Sequence, residues 1–212
     1  MKVKIVVMHD KDNYNNSEFS LESIIDAEKS IKNTPILAFM LRDNETNNPS
    51  DFDEHNMETR IVDNADGFSI ETRYLEKPIG LIPESCNPRY ETIDGYKYFV
   101  VDGYIWKCYS NGAYKLISEN EFKNVSMEIE VSEGAYNETS QRYQISKYKY
   151  LGVTCLGDHQ IPAMGDKCRI SKYSEMKTYK QDLEEIYREI YKFRKEEEDL
   201  DTVEDVKIGR KK

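Results

Sequence analysis

Residues 124–131 read NVSMEIEV. Val125, Met127, Ile129 and Val131 alternate with Ser126, Glu128 and Glu130. A period of two marks a strand with one apolar and one polar face. Other stretches of strand character flank it. KVKIVVM (2–8) reads as a first strand, and TPILAFML (34–41) is an apolar run of strand length. METRIVD (57–63) and FSIETRYL (68–75) read as two strands joined by the turn NADG. YKYFVVDGYIWKCY (96–109) is rich in β-branched and aromatic residues. Its Asp102-Gly103 is either a tight hairpin or a bulge in one long strand. RYQISKYKYLGVTCLG (142–157) adds one more. Roughly seven or eight strands with few helices predict a mainly β fold, a closed or partly open β-barrel.

Between the strands the polar stretches read as connections. HDKDNYNNSE (9–18) is a polar turn and RDNETNNPSDFDEHN (42–56) a long polar loop. KPIGLIPESCNPRY (77–90) carries three prolines and is expected to be irregular. SLESIIDAEKSIKN (20–33) has helical spacing with Ser20 as N-cap, and SNGAYKLISEN (110–120) suits a short helix.

The barrel domain is expected over residues 1–172. An amphipathic, coiled-coil-like helix follows over 173–198, then a flexible charged tail over 199–212. In the helix Met176, Tyr179, Leu183, Ile186, Ile190 and Phe193 recur at alternating spacings of three and four, the seam of a coiled coil. Such a stripe either packs on its own barrel or carries self-association and scaffold binding.

Composition narrows the function. The chain has 212 residues, 38% of them hydrophobic, with 16 Tyr and 7 Phe, enough for one sizeable core. A net charge of −10 argues against nucleic acid as a partner, and the short basic stretch KIGRKK does not reverse that. No run nears the roughly 18 apolar residues of a membrane span, and the first residues lack the pattern of a signal peptide. A soluble protein is expected. Cys86, Cys108, Cys155 and Cys168 are scattered, which suits a reducing compartment. Cys155, His159 and Cys168 lie close in sequence but lack the paired spacing of a zinc site, so no metal is expected.

The chain has three histidines, His9, His55 and His159. An isolated histidine in a polar loop is usually just solvated. A serine nucleophile needs a base within hydrogen-bond reach and a group that orients the base. Ser126 has the fixed direction of a strand residue, and Glu128 projects from the same face about 7 Å further along. Pattern alone leaves two readings of this face, a solvated surface or a catalytic one.

Five motifs, DFDEHNM (51–57), EKPIGLIPE (76–84), VVDGYIWKCYS (100–110), VSMEIEV (125–131) and YLGVTCLGDHQIPAM (150–164), follow one another in an order and spacing similar to the tailed-phage prohead proteases. Those capsid-maturation serine proteases are distantly similar in fold to the herpesvirus assemblins. The resemblance implies a barrel surrounded by helices and an endopeptidase without metal or organic cofactor. It also implies scaffold and major capsid protein extensions as substrates, cut inside the assembling prohead in the host cytoplasm. Motif by motif, His55 takes the position of the general base and Ser126 that of the nucleophile. The family's third member falls on Gly152, which has no side chain. Glu128, which shares a face with Ser126, is the expected orienting acid in its place, with Glu130 and His159 as alternatives, or a dyad without one. A non-catalytic scaffold or capsid assembly protein acting through the C-terminal helix is the rival expectation.

Overall fold

The computed structural model describes residues 1–65 and 67–173. The expected stripe Met176, Tyr179, Leu183, Ile186, Ile190 and Phe193, and the charged tail after it, lie outside the described residues. One compact unit spans Met1–Lys172.

The first half of that unit runs β1 (Lys2–His9), β2 (Lys11–Asp12), β3 (Ser17–Phe19), α1 (Leu21–Ala27) and β4 (Thr34–Ala38). It continues with β5 (Met40–Arg42), β6 (Pro49–Phe52), β7 (Met57–Asn64), β8 (Gly67–Tyr74) and β9 (Lys77–Ile82). The second half runs β10 (Arg89–Ile93), β11 (Tyr96–Ile105), α2 (Ala113–Glu119), β12 (Lys123–Asn137), β13 (Arg142–Leu156) and β14 (Arg169–Lys172). Seven of these strands close a barrel in the order β12-β14-β1-β11-β9-β4-β13, and β13 pairs back to β12. The fold is mainly β, with two short helices among the described residues. Closure leaves the seven strands without an open edge along the barrel wall.

Alternation accounts for the barrel strands. Val3, Ile5 and Val7 of β1 are fully buried, and Ile36 of β4, Val125 of β12 and Val153 of β13 join them in one core. α1 begins where Ser20 Oγ accepts the Ser23 amide, and it buries Ile24 and Ala27. The long strand β11 settles the reading of Asp102-Gly103: it passes straight through, pairing with β1 from Lys2↔Tyr104 to His9↔Tyr98. A Cβ at Gly103 would come within 2.9 Å of Ile36 Cδ1 and 3.0 Å of Ile5 Cδ1, so the missing side chain lets the strand pass close to the core.

Three polar stretches hold more structure than expected. The 9–18 turn contains β2 and the start of β3, and the 42–56 loop contains β6, which pairs with β5. The proline-rich stretch 77–90 is the clearest correction, because it includes β9, a barrel strand between β4 and β11. Its register against β4 steps from Ile36↔Gly80 to Leu37↔Pro78, leaving Ile79 as an extra residue. A bulge of this kind tolerates a proline without a donor beside it.

Candidate active site

The β12–β13 hairpin builds one wall of the site. Ser126 lies opposite Thr154 and Glu128 opposite Gly152. Side chains of directly opposed residues share a face, so Ser126, Glu128 and Thr154 stand together there. Ser126 is half-buried, and among the described residues its hydroxyl has no hydrogen-bond partner. A bulge between Glu128 and Ile129 ends the regular register just beyond the site.

His55 arrives from the segment that links β6 to β7. That segment is tied at both ends. Asp53 N donates to Phe39 O at 3.0 Å, and Gly157 N donates to Asp53 O at 3.1 Å. Asn56 N donates to Glu76 Oε1 at 2.6 Å, and Leu75 N donates to Asn56 O at 2.9 Å. Held in this way, His55 places Nδ1 2.8 Å from Glu128 Oε1. Thr154 Oγ1, from a fully buried residue, donates to the same carboxylate oxygen.

The electrostatics follow from these contacts. The hydrogen bond to Glu128 raises the His55 pKa above the ordinary histidine value; burial opposes it, and the charges of Glu128, Glu76 and Glu54 add to it. For Glu128, burial pushes the carboxyl up. The hydrogen bonds from His55 and Thr154, with the His55 charge, outweigh that and hold it below the ordinary carboxylate range. Glu76 is itself buried, and its Oε2 has no hydrogen-bond partner among the described residues.

Lys123 braces the arrangement from below. Its side chain is 2% exposed, and Nζ lies 2.8 Å from Asp51 Oδ1 in β6 and 2.8 Å from Asp158 Oδ1 beyond β13. Burial favours the neutral amine, but the two carboxylates win and its pKa is raised. One buried cation thus links the strand of Ser126 to the segment that delivers His55 and to the loop that follows β13.

The sequence-predicted residues separate cleanly. The structure brings His55 and Glu128 into contact and sets Ser126 on their face. The alternatives have other partners: Glu130 pairs with Lys149 at 2.5 Å, and His159 Nε2 lies 3.8 Å from Asp53 Oδ1. Buried Cys155 has its thiol pushed up to about 12, and burial raises Cys168 as well. Sequence reasoning missed Thr154, Lys123 and Glu76. Thr154 sits in the alternation of VTC on β13, but only the strand register puts it beside Glu128.

The fold has no solved structure that matches it, and no curated protein matches the chain. The profile of the YonD N-terminal domain does match, over residues 1–190. The chain therefore belongs to the YonD N-terminal domain family, a phage-associated domain.

Proposed function

We propose that this protein is a serine endopeptidase of phage capsid maturation, with Ser126 as nucleophile, His55 as general base and Glu128 as the orienting acid. The observation that carries the reading is the 2.8 Å contact between His55 Nδ1 and Glu128 on the strand face that holds Ser126. With Nδ1–H donating to the carboxylate, Nε2 keeps its lone pair and serves as the base. Glu128 and Ser126 are two residues apart, about 7 Å along the strand. An imidazole with a hydrogen bond at each nitrogen bridges a gap of about that size. In free enzymes the bond from nucleophile to base is often long, so an unbonded Ser126 is compatible with the role.

In the reaction, His55 Nε2 takes the proton of Ser126 Oγ as the oxygen attacks a peptide carbonyl. The protonated imidazole, stabilised by the Glu128 charge, then gives the proton to the leaving amine. Water, activated by the same nitrogen, releases the acyl group from Ser126. Scaffold and capsid-protein extensions inside the prohead are the substrates that the motif resemblance supports.

Intact mass after fluorophosphonate treatment tests the proposal. One adduct is expected on the wild-type chain, mapped to Ser126 and absent from Ser126→Ala and His55→Ala. A folded, concentrated wild-type sample that gains no adduct would overturn it. That result would favour the second reading, a non-catalytic assembly component, which draws on the exposed apolar hairpin described below.

A further inference from the structure

The hairpin of β7 and β8 rises from the segment that carries His55 and returns at Leu75, next to Glu76. It forms a two-stranded sheet by itself, paired from Met57↔Tyr74 to Asn64↔Gly67. The register sorts its side chains onto two faces. One face carries Glu58, Arg60, Glu71 and Arg73, with opposite charges directly across from each other in Glu58↔Arg73 and Arg60↔Glu71. The other face carries Met57, Ile61, Phe68, Ile70 and Tyr74, each between 57% and 74% exposed. An isolated hairpin is marginal in water, and a face this apolar is rarely left uncovered.

We propose that this face is an interface between two copies of the chain, packed sheet on sheet with the strands of the two hairpins running in opposite directions. The inference is independent of the proposed catalysis. Two observations select a second copy as the occupant. The first is the order of the rows, Met57–Tyr74, Thr59–Thr72, Ile61–Ile70 and Asp63–Phe68. Reversing one hairpin over another sets each Ile row on the smaller Thr row of its mate. It also sets Phe68 on Tyr74 and Asp63 on Met57 at the two ends of the contact. A two-fold axis requires this self-complementarity. The second observation is area. The five apolar residues expose roughly 600 Å² together, so two stacked faces would bury at most about 1,200 Å², which reaches the lower bound of a specific interface. The charges of the opposite face are balanced in pairs, so the net charge of −10 does not concentrate at the contact.

Hydrogen exchange of the full chain at low and high protein concentration tests this. Backbone amides of residues 57–74 should exchange about tenfold more slowly at high concentration. The double variant Ile61→Asp with Ile70→Asp should lose that dependence while keeping its thermal transition. Sedimentation of the same samples should show the wild-type dimer shift to smaller species in the variant. Association through residues 174–212 alone would leave residues 57–74 exchanging equally at both concentrations, and that outcome overturns the proposal. So does a variant whose exchange still slows with concentration.

Discussion

A hydrogen bond at Nδ1 decides which nitrogen of an imidazole can accept a proton, and in His55 that bond goes to Glu128. The pKa directions give it a testable pH signature. His55 is raised above 6.5, so its base form appears only at higher pH, and Ser126 labelling should rise through a midpoint above that value. In Glu128→Gln the midpoint should fall back toward 6.5, and the maximal rate should drop by about 10²–10⁴-fold. Stability carries the same sign. The raised His55 contributes below 6.5 and loses its contribution as pH climbs through its folded value; the lowered Glu128 contributes above 4.5 and loses it as pH falls. The Tm deficit of Glu128→Gln should therefore be widest between pH 4.5 and 6.5 and narrow on both sides. A deficit that is flat with pH would count against the ion pair. In the proposed triad, Gly152 accounts for an acid placed at Glu128. A Cβ at 152 would come within 2.8 Å of the Pro35 carbonyl oxygen, so β13 cannot carry a carboxylate there, and the residue directly opposite supplies it. The alternation around 124–131 made Ser126 and Glu128 readable as partners on one face. Nothing local in the sequence revealed that Thr154 meets them, because that contact depends on the register of a strand 26 residues away.

At the scale of elements, Lys123 is the joint that holds β12, β6 and the loop after β13 in one place. A buried cation that loses its partners, or carboxylates that lose their cation, cost more than an exposed pair contributes. Asp158 is largely exposed and can turn to water, whereas Asp51 is mostly covered and its carboxyl is held down by Lys123 against the effect of burial. Lys123→Ala should lower unfolding stability by about 3 kcal/mol in urea titration. Lys123→Met fills the same space without the charge and should recover part of that loss. Both variants should slow Ser126 labelling more than their stability predicts, since the segment bearing His55 loses a tie. Labelling at the wild-type rate in a folded Lys123→Met sample would show that the joint is structural only. Elements with clean periodicity, such as β12 and β13, were legible in the sequence. β9 was not, because Pro78 and the neighbouring prolines resemble a loop until pairing with β4 shows the bulge that accommodates them. The short strands β2, β3 and β6 were hidden for another reason: polar residues at the surface give no alternation to read.

At the scale of the molecule, closure rests on the smallest barrel strand. β14 has four residues, yet it pairs with β1 through Val3↔Lys172 to Ile5↔Ile170 and with β12 through Lys123↔Ile170 and Asn124↔Arg169. Among the described residues it is the strand that joins the N-terminal strand to the strand of Ser126 around this side of the barrel. Ile170 is fully buried, and removing it with its neighbours would open two edges and expose the core beneath them. The loss of that burial alone is on the order of 3–5 kcal/mol, against the 5–15 kcal/mol that typically holds a domain together. A chain that stops after Tyr173 retains all seven barrel strands, so it should unfold cooperatively and still label at Ser126. A chain that stops after Cys168 lacks β14, so it should lose its near-ultraviolet circular dichroism and its labelling together. Thermal melts of the two truncations distinguish a barrel that needs its closing strand from one that tolerates an open seam. If the shorter chain melts cooperatively near the temperature of the longer one, closure by β14 does not hold the site in place, and the β12–β13 hairpin must carry Ser126 and Glu128 by itself.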